Sequence, residues 1–509
     1  DEGHVYFPSQ ELMEQAAELL GIEPGLLPAA LERLATDQRI RREQLPLDRA
    51  SVPAESERQV GEPRPPYQQP VVYLTPLYLA ELSVSEQLRE LAKAWPTRLS
   101  DLPPVFAALD GELSAEQQEA VRTALGSPLS VLTGGPGTGK TTAIRALIGA
   151  LEAARKRYAL ASPTGRAAKR MSQATGRPAS TIHRLLGFSP GEGFKFNANN
   201  PLPIDLLVVD EASMLDLLLA NHLLKALHPG THLLLVGDVD QLPAVGAGDV
   251  LRDVIKSQIA PVTRLSHIFR QAASSHIITN AHRINHGQMP EFPAGSELAD
   301  FYLFTIETPD EAAAWVQDVV SSRIPQKFGF HPRDDIQVLA PMYRGPAGVD
   351  ALNSRLQDNL NPPSLIKAEK SLFGTTFRSG DKLMQIQNNY DKEVFNGDIG
   401  ILLAINPVDH SLSVDFEGRA VSYDWSEADQ LVLAYAVSVH KAQGSEFPVV
   451  VLPLVTSHYL MLQRNLLYTA VTRARKLCVL GGSKRAIGMA IKNDRGAHRR
   501  GRRPDEILR

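Results

Sequence analysis

A glycine-rich segment carries the clearest chemistry in this chain of 509 residues. The segment GGPGTGKTT (134–142) follows an apolar run and has the spacing G-x-x-x-x-G-K-[ST]. Such a loop directs successive backbone N–H groups inward at the N-terminus of the following helix, where they bind the phosphates of a nucleotide. The expected nucleotide-binding residues are Gly135, Pro136, Gly137, Thr138, Gly139, Lys140, Thr141 and Thr142.

Two other strand-like segments end in acidic or amide side chains. DLLVVDEAS ends in the pair Asp210 and Glu211, and GDVDQLPAVGAG places Gln241 after another strand. Asp210 can hold Mg²⁺ through water, and Glu211 can polarise an attacking water. Gln241 can sense a γ-phosphate through a hydrogen bond. The alternative is that Asp210 and Glu211 are only exposed acids at a strand end.

The composition is that of a globular chain with a slightly acidic balance, with a net charge of -4 and 43% hydrophobic residues. The one cysteine, Cys478, excludes an internal disulfide and a cysteine-based zinc cluster, which favours a cytosolic protein. No apolar run approaches the roughly 20 residues needed to cross a bilayer, so no membrane association is expected. The basic C-terminal end is either a solvated tail or an arm that attracts phosphate. Its arginines are Arg499, Arg500, Arg502 and Arg503.

Apolar strands alternate with helical segments from about residue 113 onward, which is the pattern of a parallel sheet with crossover helices. A second α/β pattern follows, interrupted by short strands with Asn-Gly turns that suggest a small closed barrel. We therefore expect an α/β fold with two tandem parallel-sheet domains. The predicted boundaries are 1–104 for an N-terminal helical, winged-helix-like domain and linker, 105–255 for the first α/β domain with a hairpin insert at 187–204, 256–342 and 430–490 for the second α/β domain, 343–429 for the β-barrel insert, and 491–509 for a basic tail.

The N-terminal region has helical apolar spacing over residues 9–40, in two pieces broken at Gly21 and Pro24. The segment VVYLTPLYLAEL (71–82) is strand-like. Two helices followed by a β-ribbon suggest a winged-helix module. Such a module either contacts DNA or a partner, or only packs against the main body.

Nine segments of the chain occur in the order of the superfamily 1 helicase motifs. They are LSAEQQEAV (113–121), GGPGTGKTT, ASPTGRAAKR (161–170), STIHRLLG (180–187), VVDEASM, GDVDQLPAVGAG, SHIFRQ (266–271), VSVHKAQGSEF (437–447) and LLYTAVTRAR (466–475). Over residues 105–490 the chain resembles the RecD-like branch, of the stand-alone type. The resemblance implies two RecA-like motor domains and an ATP-dependent DNA helicase. It also implies a monomer that uses ATP and Mg²⁺, moves 5′ to 3′ on single-stranded DNA and acts at junctions with duplex.

The same resemblance implies roles at the nucleotide. Gln117 would read the adenine edge, or it is an ordinary glutamine on a helix surface. Lys140 would neutralise the β- and γ-phosphates, and Thr141 and Asp210 would hold Mg²⁺ while Glu211 orients water.

Further nucleotide contacts are implied for the second domain. Arg270 and Arg473 would reach across to the γ-phosphate, where a planar, permanently charged fork stabilises spread negative charge. Phe269 would stack on adenine, unless it is a buried core residue. Gly444 and Glu446 would lie on the nucleotide side of their motif and couple it to DNA.

The resemblance places the DNA contacts in ASPTGRAAKR, STIHRLLG and VSVHKAQGSEF. Hydroxyl and imidazole groups can hydrogen-bond phosphate oxygens, and such contacts bind DNA of any base sequence equally well. The same side chains can instead satisfy loop backbone groups. The candidates are Pro163, Thr164, Thr181, His183, Ser438 and His440.

A turn-rich segment, LLGFSPGEGFKFNANNPL, predicts a protruding hairpin in the first α/β domain. We expect Phe194 or Phe196 to lie near its tip and to split duplex DNA, with a passive surface hairpin as the alternative. FNGDIG (395–400) is similar to a stretch of RecD-type proteins in a domain that helps clamp the strand, or is only a structural turn.

Two rival functions stay open from the sequence. One is a DNA translocase or protein-stripping remodeller that does not separate strands, and the other is an ATP-gated DNA-binding subunit of a larger complex. The direction of movement rests on the resemblance alone. No acid cluster resembles an attached nuclease, so a motor without cutting activity, working in a bacterial-type cytosol with the nucleoid, is expected.

Overall fold

The computed structural model describes residues 3–46, 68–102, 113–267, 274–292, 299–494 and 499–501. Within these ranges the chain forms an N-terminal unit, two parallel-sheet domains and an antiparallel insert, so the predicted fold class is confirmed. None of the helices in these ranges is long and apolar enough to span a membrane. Four residues singled out from the sequence lie outside the described ranges: Phe269, Arg270, Arg502 and Arg503.

The N-terminal unit packs three helices on a small sheet. Its elements are β1 (Tyr6–Pro8), α1 (Ser9–Leu20), α2 (Leu27–Thr36), β2 (Ile40–Pro46), β3 (Gln68–Leu74) and α3 (Thr75–Ala92). The strands form an antiparallel sheet in the order β1-β3-β2. As predicted, the first two helices separate at Gly21, which ends α1 in the left-handed conformation, and at Pro24, which begins a 3₁₀ turn.

The strand predicted over 71–82 is wrong beyond Leu74, where β3 ends and α3 begins. Pro76 is the second residue of α3. Proline is tolerated in the first turn of a helix because the N–H that it lacks would have no intrahelical partner there. Ala80, Val84 and Leu88 then recur every four residues and are buried. This period is that of a helix face, and the face packs on the helix Leu217–Lys225.

The first α/β domain is built on a parallel sheet. Its elements are α4 (Ala115–Gly126), β4 (Leu129–Gly134), α5 (Lys140–Ala153), β5 (Tyr158–Ser162), α6 (Gly165–Thr175), β6 (Ser180–Thr181), α7 (Ile182–Leu185), β7 (Phe188–Ser189), β8 (Gly193–Phe194), β9 (Leu206–Val209), α8 (Leu217–Lys225), β10 (His232–Gly237), α9 (Val250–Ser257) and β11 (Val262–Leu265). Six strands pair in the order β11-β4-β10-β9-β5-β6. The three central strands are buried along their whole length, as expected for a parallel sheet covered on both faces.

The second α/β domain is formed from two separate stretches of chain. Its elements are α10 (His276–Asn285), β12 (Phe301–Phe304), α11 (Pro309–Asp318), α12 (Ile324–Phe328), β13 (Ile336–Ala340), α13 (Val349–Leu360), and, after the insert, β21 (Ala436–Ser438), β22 (Phe447–Leu454), α14 (Arg464–Val471), β23 (Ala474–Gly482) and α15 (Lys484–Lys492). The strands form a parallel sheet in the order β12-β23-β22-β13-β21. The chain leaves and re-enters this sheet at β13 and β21, which are neighbours.

The insert is antiparallel. Its strands are β14 (Glu369–Leu372), β15 (Thr375–Arg378), β16 (Lys382–Gln385), β17 (Ile399–Asn406), β18 (Ser411–Phe416), β19 (Arg419–Asp424) and β20 (Leu431–Leu433). β14 and β15 form a hairpin, and the others pair in the order β19-β18-β17-β16-β20. The sheet is open between its edge strands β19 and β20, where the sequence suggested a closed barrel. A 3₁₀ helix, Trp425–Gln430, connects these edges and carries the buried Ala428 into the core, so the core is covered without a closed ring.

Two C-terminal arginines dock on the rest of the chain, Arg499 on the first α/β domain and Arg500 on the N-terminal unit. Nη1 of Arg499 donates to carbonyl oxygens of the loop 246–248 at 2.8 and 2.9 Å. Nη2 of Arg500 lies 2.7 Å from a carboxylate oxygen of Glu11. The guanidinium groups of these two residues therefore bind protein.

Candidate nucleotide site and nucleic-acid interface

The glycine-rich loop connects β4 to α5 and has the backbone of a phosphate cradle. Gly137 and Gly139 have positive φ angles of 72° and 85°, which side-chain-bearing residues rarely adopt. Thr138 closes the turn by donating its hydroxyl to the carbonyl of Gly135 at 2.9 Å. Pro136 and Gly137 lie at the accessible side of the loop.

Lys140 opens α5 and points its ammonium group into the loop. Its Nζ donates to the carbonyl oxygens of Gly134 at 2.5 Å and Gly135 at 3.0 Å. Thr141 and Thr142, the next two residues, are exposed. The positive charge therefore lies inside the loop whose N–H groups can bind phosphate oxygens.

Gln117 is buried and engaged by the protein itself. Its Oε1 accepts the backbone N–H of Ser114 at 2.9 Å, which completes a capping box at the start of α4. Its Nε2 donates to the carbonyl of Gly139 at 3.2 Å. Gln117 thus ties α4 to the phosphate loop, a contact that the sequence did not predict.

Asp210 and Glu211 follow β9 and lie next to the phosphate loop. Glu211 is 5% exposed, and its backbone is left-handed with φ 51°. For a residue with a side chain this costs on the order of 1 kcal/mol, which is typical of strain at functional sites. Burial, and then the charge of Glu211, raise the pKa of the Asp210 carboxyl above its ordinary value. A bound cation would stabilise the ionised form, so this carboxylate fits a Mg²⁺ site.

Asp238 joins the two α/β domains. It is 2% exposed and accepts the hydroxyl of Tyr468, from α14, at 2.8 Å. Nε2 of Gln241 donates to the same carboxylate oxygen at 3.2 Å. Burial raises the pKa of Asp238, against the opposing charge of Lys140. Asp238, a neighbour of the phosphate loop, therefore fixes the position of the Gln241 amide.

Tyr468 also contacts the phosphate loop from the second domain, together with His282 of α10. A methyl group at Gly135 would lie 3.2 Å from the Tyr468 hydroxyl and 3.2 Å from the His282 ring. Nε2 of His282 is buried and has no hydrogen-bond partner within the described ranges. Tyr468 belongs to the motif LLYTAVTRAR, whereas His282 had no sequence signal, and neither residue was predicted to reach the loop.

Arg473 is 3% exposed, and its guanidinium is held by residues of the second domain. Its guanidinium donates to the carbonyl oxygens of Thr469 at 3.2 Å and Ser445 at 3.1 Å. Burial lowers its pKa, while the charges of Glu211 and then Glu446 favour the ionised form. Arg473 therefore brings a cation from the second domain toward the acids of the first.

Three predicted DNA contacts hold local backbone in place. Thr164 and Thr181 are N-cap residues, whose hydroxyls accept the N–H groups of Ala167 and Arg184 at 3.3 and 3.1 Å. The hydroxyl of Ser438 accepts the N–H of Lys441 at 3.3 Å. These hydroxyls therefore satisfy loop backbone groups, which was the alternative to DNA contact in the sequence analysis. The hydroxyl protons of Thr164 and Thr181 are not used in these bonds and can be donated to a phosphate oxygen, whereas the Ser438 hydroxyl also hydrogen-bonds the Tyr343 hydroxyl at 3.3 Å.

The remaining predicted DNA contacts are histidines and a proline. Burial lowers the pKa of His183 and of His440, so both imidazoles favour the neutral form. His183 packs edge-on to Phe188, with ring centroids 5.6 Å apart. Pro163 is partly exposed directly before Thr164.

The FNGDIG loop of the insert lies on the start of α6. Nη1 of Arg166 donates to the carbonyl of Gly397 at 3.1 Å, and a methyl group at Gly165 would overlap the Phe395 ring at 2.3 Å. Nζ of Lys441 donates to Asn396 at 3.0 Å. These contacts bring the insert to two of the three segments that carry predicted DNA contacts.

Comparison with known proteins matches three regions of the chain to family models. An AAA domain model matches residues 117–247, the ATP-dependent RecD-like DNA helicase SH3 domain matches 352–416, and the UvrD-like helicase C-terminal domain matches 433–480. The RecD subunit of the RecBCD enzyme from Mycolicibacterium smegmatis is 32% identical over 458 residues, which cover 83% of this chain and 80% of that protein. The chain belongs to the RecD-like family of DNA helicases.

Two further similarities accompany this family assignment. The ATP-dependent RecD2 DNA helicase of Deinococcus radiodurans is 37% identical over 498 residues, covering 97% of this RecD-like chain but 65% of the relative's length. A Pif1 helicase from Bacteroides, solved with ADP-AlF3 and single-stranded DNA, is 20% identical with a TM-score of 0.45, covering 73% of this chain and 92% of that one.

The hairpin of this RecD-like chain differs in detail from the prediction. Its tip is the turn Pro190–Glu192, whereas Phe194 lies in β8 and packs against Phe188 and His222 with ring centroids 5.0 and 4.4 Å apart. Phe196 packs against the domain core. Both phenylalanines are partly buried, so the turn itself forms the tip, and a role of Phe194 or Phe196 in splitting duplex DNA stays a prediction.

Arg170 is a residue whose position the sequence did not reveal. It lies in α6, where Nη1 is 2.6 Å from Oε1 of Glu446 and Nη2 is 3.5 Å from Oε1 of Glu211. Glu446 also pairs with Arg475 at 2.7 Å. The only sequence signal was its presence in ASPTGRAAKR, since an ion pair across two domains has no local pattern.

Proposed function

We propose that this chain is the motor of an ATP-dependent DNA helicase, which moves 5′ to 3′ on single-stranded DNA and unwinds duplex. The observation that carries the proposal is a nucleotide site shared by two parallel-sheet domains. Lys140, Asp210 and Glu211 belong to the first domain, whereas Tyr468 and Arg473 reach the same cleft from the second.

Hydrolysis follows from the chemistry of these side chains. Lys140 would bind the β- and γ-phosphates, and Thr141 and Asp210 would hold Mg²⁺, which when bound neutralises phosphate charge. Glu211 would accept a proton from the attacking water while Gln241 orients the γ-phosphate. Arg473 would stabilise the charge that spreads over the γ-phosphate, with Arg270 as a second arginine implied by the family.

A shared site supports movement along DNA because ATP can bias domain closure only by binding the closed arrangement better. Closure would shift the second domain's Ser438 and His440 relative to the first domain's Thr164. Alternate grip and release by the two sets of contacts would advance the strand.

Strand separation is supported by the hairpin and by the insert. The hairpin projects from the first domain beside His183, and the FNGDIG loop contacts α6. We propose that the hairpin as a whole splits the duplex, with Phe194 and Phe196 supporting it from its base. The substrates would be single-stranded DNA and its junctions with duplex, bound by a monomer in a bacterial-type cytosol with the nucleoid.

The test is ATP hydrolysis with and without single-stranded DNA, followed by unwinding of duplexes that carry either a 5′ or a 3′ single-stranded tail. We expect DNA to stimulate hydrolysis and only the 5′-tailed duplex to be unwound. Lys140→Ala serves as the blank, because it removes the cation of the phosphate loop and should lower kcat by on the order of 100-fold or more.

The outcomes separate the candidate functions. Stimulated hydrolysis without unwinding of either duplex would indicate a translocase or remodeller. Hydrolysis that does not respond to DNA would overturn the motor, and unwinding from a 3′ tail would overturn the direction.

A further inference from the structure

Arg170 forms a bridge between the two α/β domains at the catalytic glutamate. Its guanidinium pairs with Glu446 of the second domain at 2.6 Å and with Glu211 of the first at 3.5 Å. Burial opposes charge on Glu446, yet Arg170 and Arg475 outweigh it and lower its pKa. The neighbouring carboxylates likewise raise the pKa of Arg170 in spite of burial, led by Glu211. Arg170 and Glu446 therefore both favour their ionised forms, and their contact is an ion pair.

Both partners of this bridge are connected to the predicted DNA contacts. Thr164 caps α6, the helix that carries Arg170 six residues later, about 9 Å along the helix axis. Gly444 lies against Thr164, since a methyl group at Gly444 would be 3.1 Å from the Thr164 hydroxyl. Glu446 follows two residues after Gly444. If DNA displaced Thr164, the movement would therefore reach Arg170 directly through α6, and would reach its partner Glu446 through residues 444–446.

An ion pair changes what a carboxylate can do. It directs the carboxylate oxygen toward the arginine, although a general base must lie within hydrogen-bond reach of the attacking water. A glutamate held in this way is a poor catalyst until the pair loosens.

We propose that Arg170 is a positioning residue that restrains Glu211 until DNA engages α6 and the loop of Gly444. DNA binding would separate Arg170 from Glu211, while its pair with Glu446 is kept, and so free Glu211 to act on water. The inference rests on the proposed ATPase function, and it assigns the coupling between DNA and hydrolysis to one side chain.

The experiment compares ATP hydrolysis by wild type and Arg170→Gln, with and without oligo-dT. We expect the DNA-free kcat of the variant to rise about fivefold, which corresponds to an activation free energy lower by about 1 kcal/mol. The DNA-saturated kcat should stay within about twofold of wild type. Arg170→Lys keeps a charge but not the two-pronged geometry, so its DNA-free rate should lie between the two.

Lys169→Gln is the matched control. Lys169 is the neighbouring cation on the same helix and pairs with Glu417 of the insert, away from Glu211. Its loss should leave the DNA-free rate unchanged. A rise of equal size in this variant would assign the effect to general loosening of α6 and overturn the proposal.

Further outcomes have separate meanings. If DNA stimulates wild type but Arg170→Gln shows an unchanged DNA-free rate, or loses both rates together, Arg170 does not restrain Glu211 and the proposed function still stands. If wild type itself does not respond to oligo-dT, both proposals fail.

Discussion

The hydroxyl of Tyr468 lies 2.8 Å from a carboxylate oxygen of Asp238, although the two residues are 230 positions apart in the chain. Both groups are buried, and Asp238 follows the strand next to the one that ends in the phosphate loop. A hydrogen bond to a buried carboxylate is among the stronger ones in proteins. This contact therefore links the position of the second domain to the nucleotide site of the first.

Removal of the Tyr468 hydroxyl should weaken this link. In Tyr468→Phe the carboxylate of Asp238 loses one of its two side-chain donors, at a cost of about 1.5–3 kcal/mol. We expect kcat/KM for DNA-stimulated ATP hydrolysis to fall about tenfold or more, because the two domains lose a hydrogen bond that fixes their relative position. Steady-state hydrolysis over a range of ATP concentrations measures the change.

Tyr435→Phe is the matched control for that substitution. Tyr435 is also buried and donates its hydroxyl to Asp381 at 2.9 Å, but this pair joins the second domain to the insert. Its loss should lower the free energy of unfolding to a similar extent and leave hydrolysis within about twofold of wild type. Equal losses of activity in both variants would contradict a special role for Tyr468.

The α/β architecture was predictable because each part of it leaves a local pattern. Continuous apolar strands ending in GGPGTGKTT or VVDEAS predict a buried parallel sheet with functional loops at its carboxyl edge. Lys140, Asp210 and Glu211 were therefore found from their own segments. The apolar period of α3 was equally visible, but the β-branched and aromatic residues before Pro76 favoured a strand.

The contacts between domains were not predictable from sequence. Arg170 resembles any other surface arginine of a helix, since its partners Glu211 and Glu446 lie 41 and 276 residues away. Gln117 was expected to face adenine, but its two polar ends are used by a capping box and by the phosphate loop. Such choices depend on tertiary packing, for which one sequence gives no periodic signal.

A methyl group at Gly165 should displace the insert from α6. In Gly165→Ala the new Cβ would lie 2.3–2.7 Å from Cβ, Cγ and Cδ2 of Phe395, which are not the flexible end of that side chain. We expect the free energy of unfolding to drop by about 1–3 kcal/mol and affinity for single-stranded DNA to weaken several-fold. Urea unfolding and fluorescence anisotropy with labelled oligo-dT measure the two effects.

Two variants make that result specific. Gly149→Ala adds the same methyl group to α5 where nothing lies within 4 Å, so it should stabilise the protein by up to about 1 kcal/mol and leave DNA affinity unchanged. Phe395→Ala in the Gly165→Ala background should recover part of the lost stability. Unaltered DNA affinity in Gly165→Ala would show that the insert does not contribute to the grip on DNA.

Shortening the hairpin turn tests its part in strand separation. Replacement of Pro190–Glu192 by a single glycine removes the exposed tip and leaves the packing of Phe194 and Phe196 in place. We expect unwinding of a forked duplex to fall at least tenfold while hydrolysis stimulated by single-stranded DNA stays within twofold. Phe373→Asn, at the exposed tip of the β14–β15 hairpin, is the control. Equal loss of unwinding and hydrolysis would refute a specific role of the turn.

The stability of the second domain should depend on pH through His458. This side chain is 3% exposed, and burial lowers its pKa to about 4, against about 6.5 in an unfolded chain. Because the unfolded state then binds the proton more tightly, the contribution of neutral His458 is complete above pH 6.5 and is lost as pH falls from 6.5 toward 4. Between pH 7.5 and 5.5 the free energy of unfolding should therefore fall by about 1 kcal/mol more in wild type than in His458→Gln, which does not titrate. Urea unfolding at both pH values, followed by a signal from the second domain, gives this difference, and parallel pH profiles of the two proteins would show that His458 is not the group responsible.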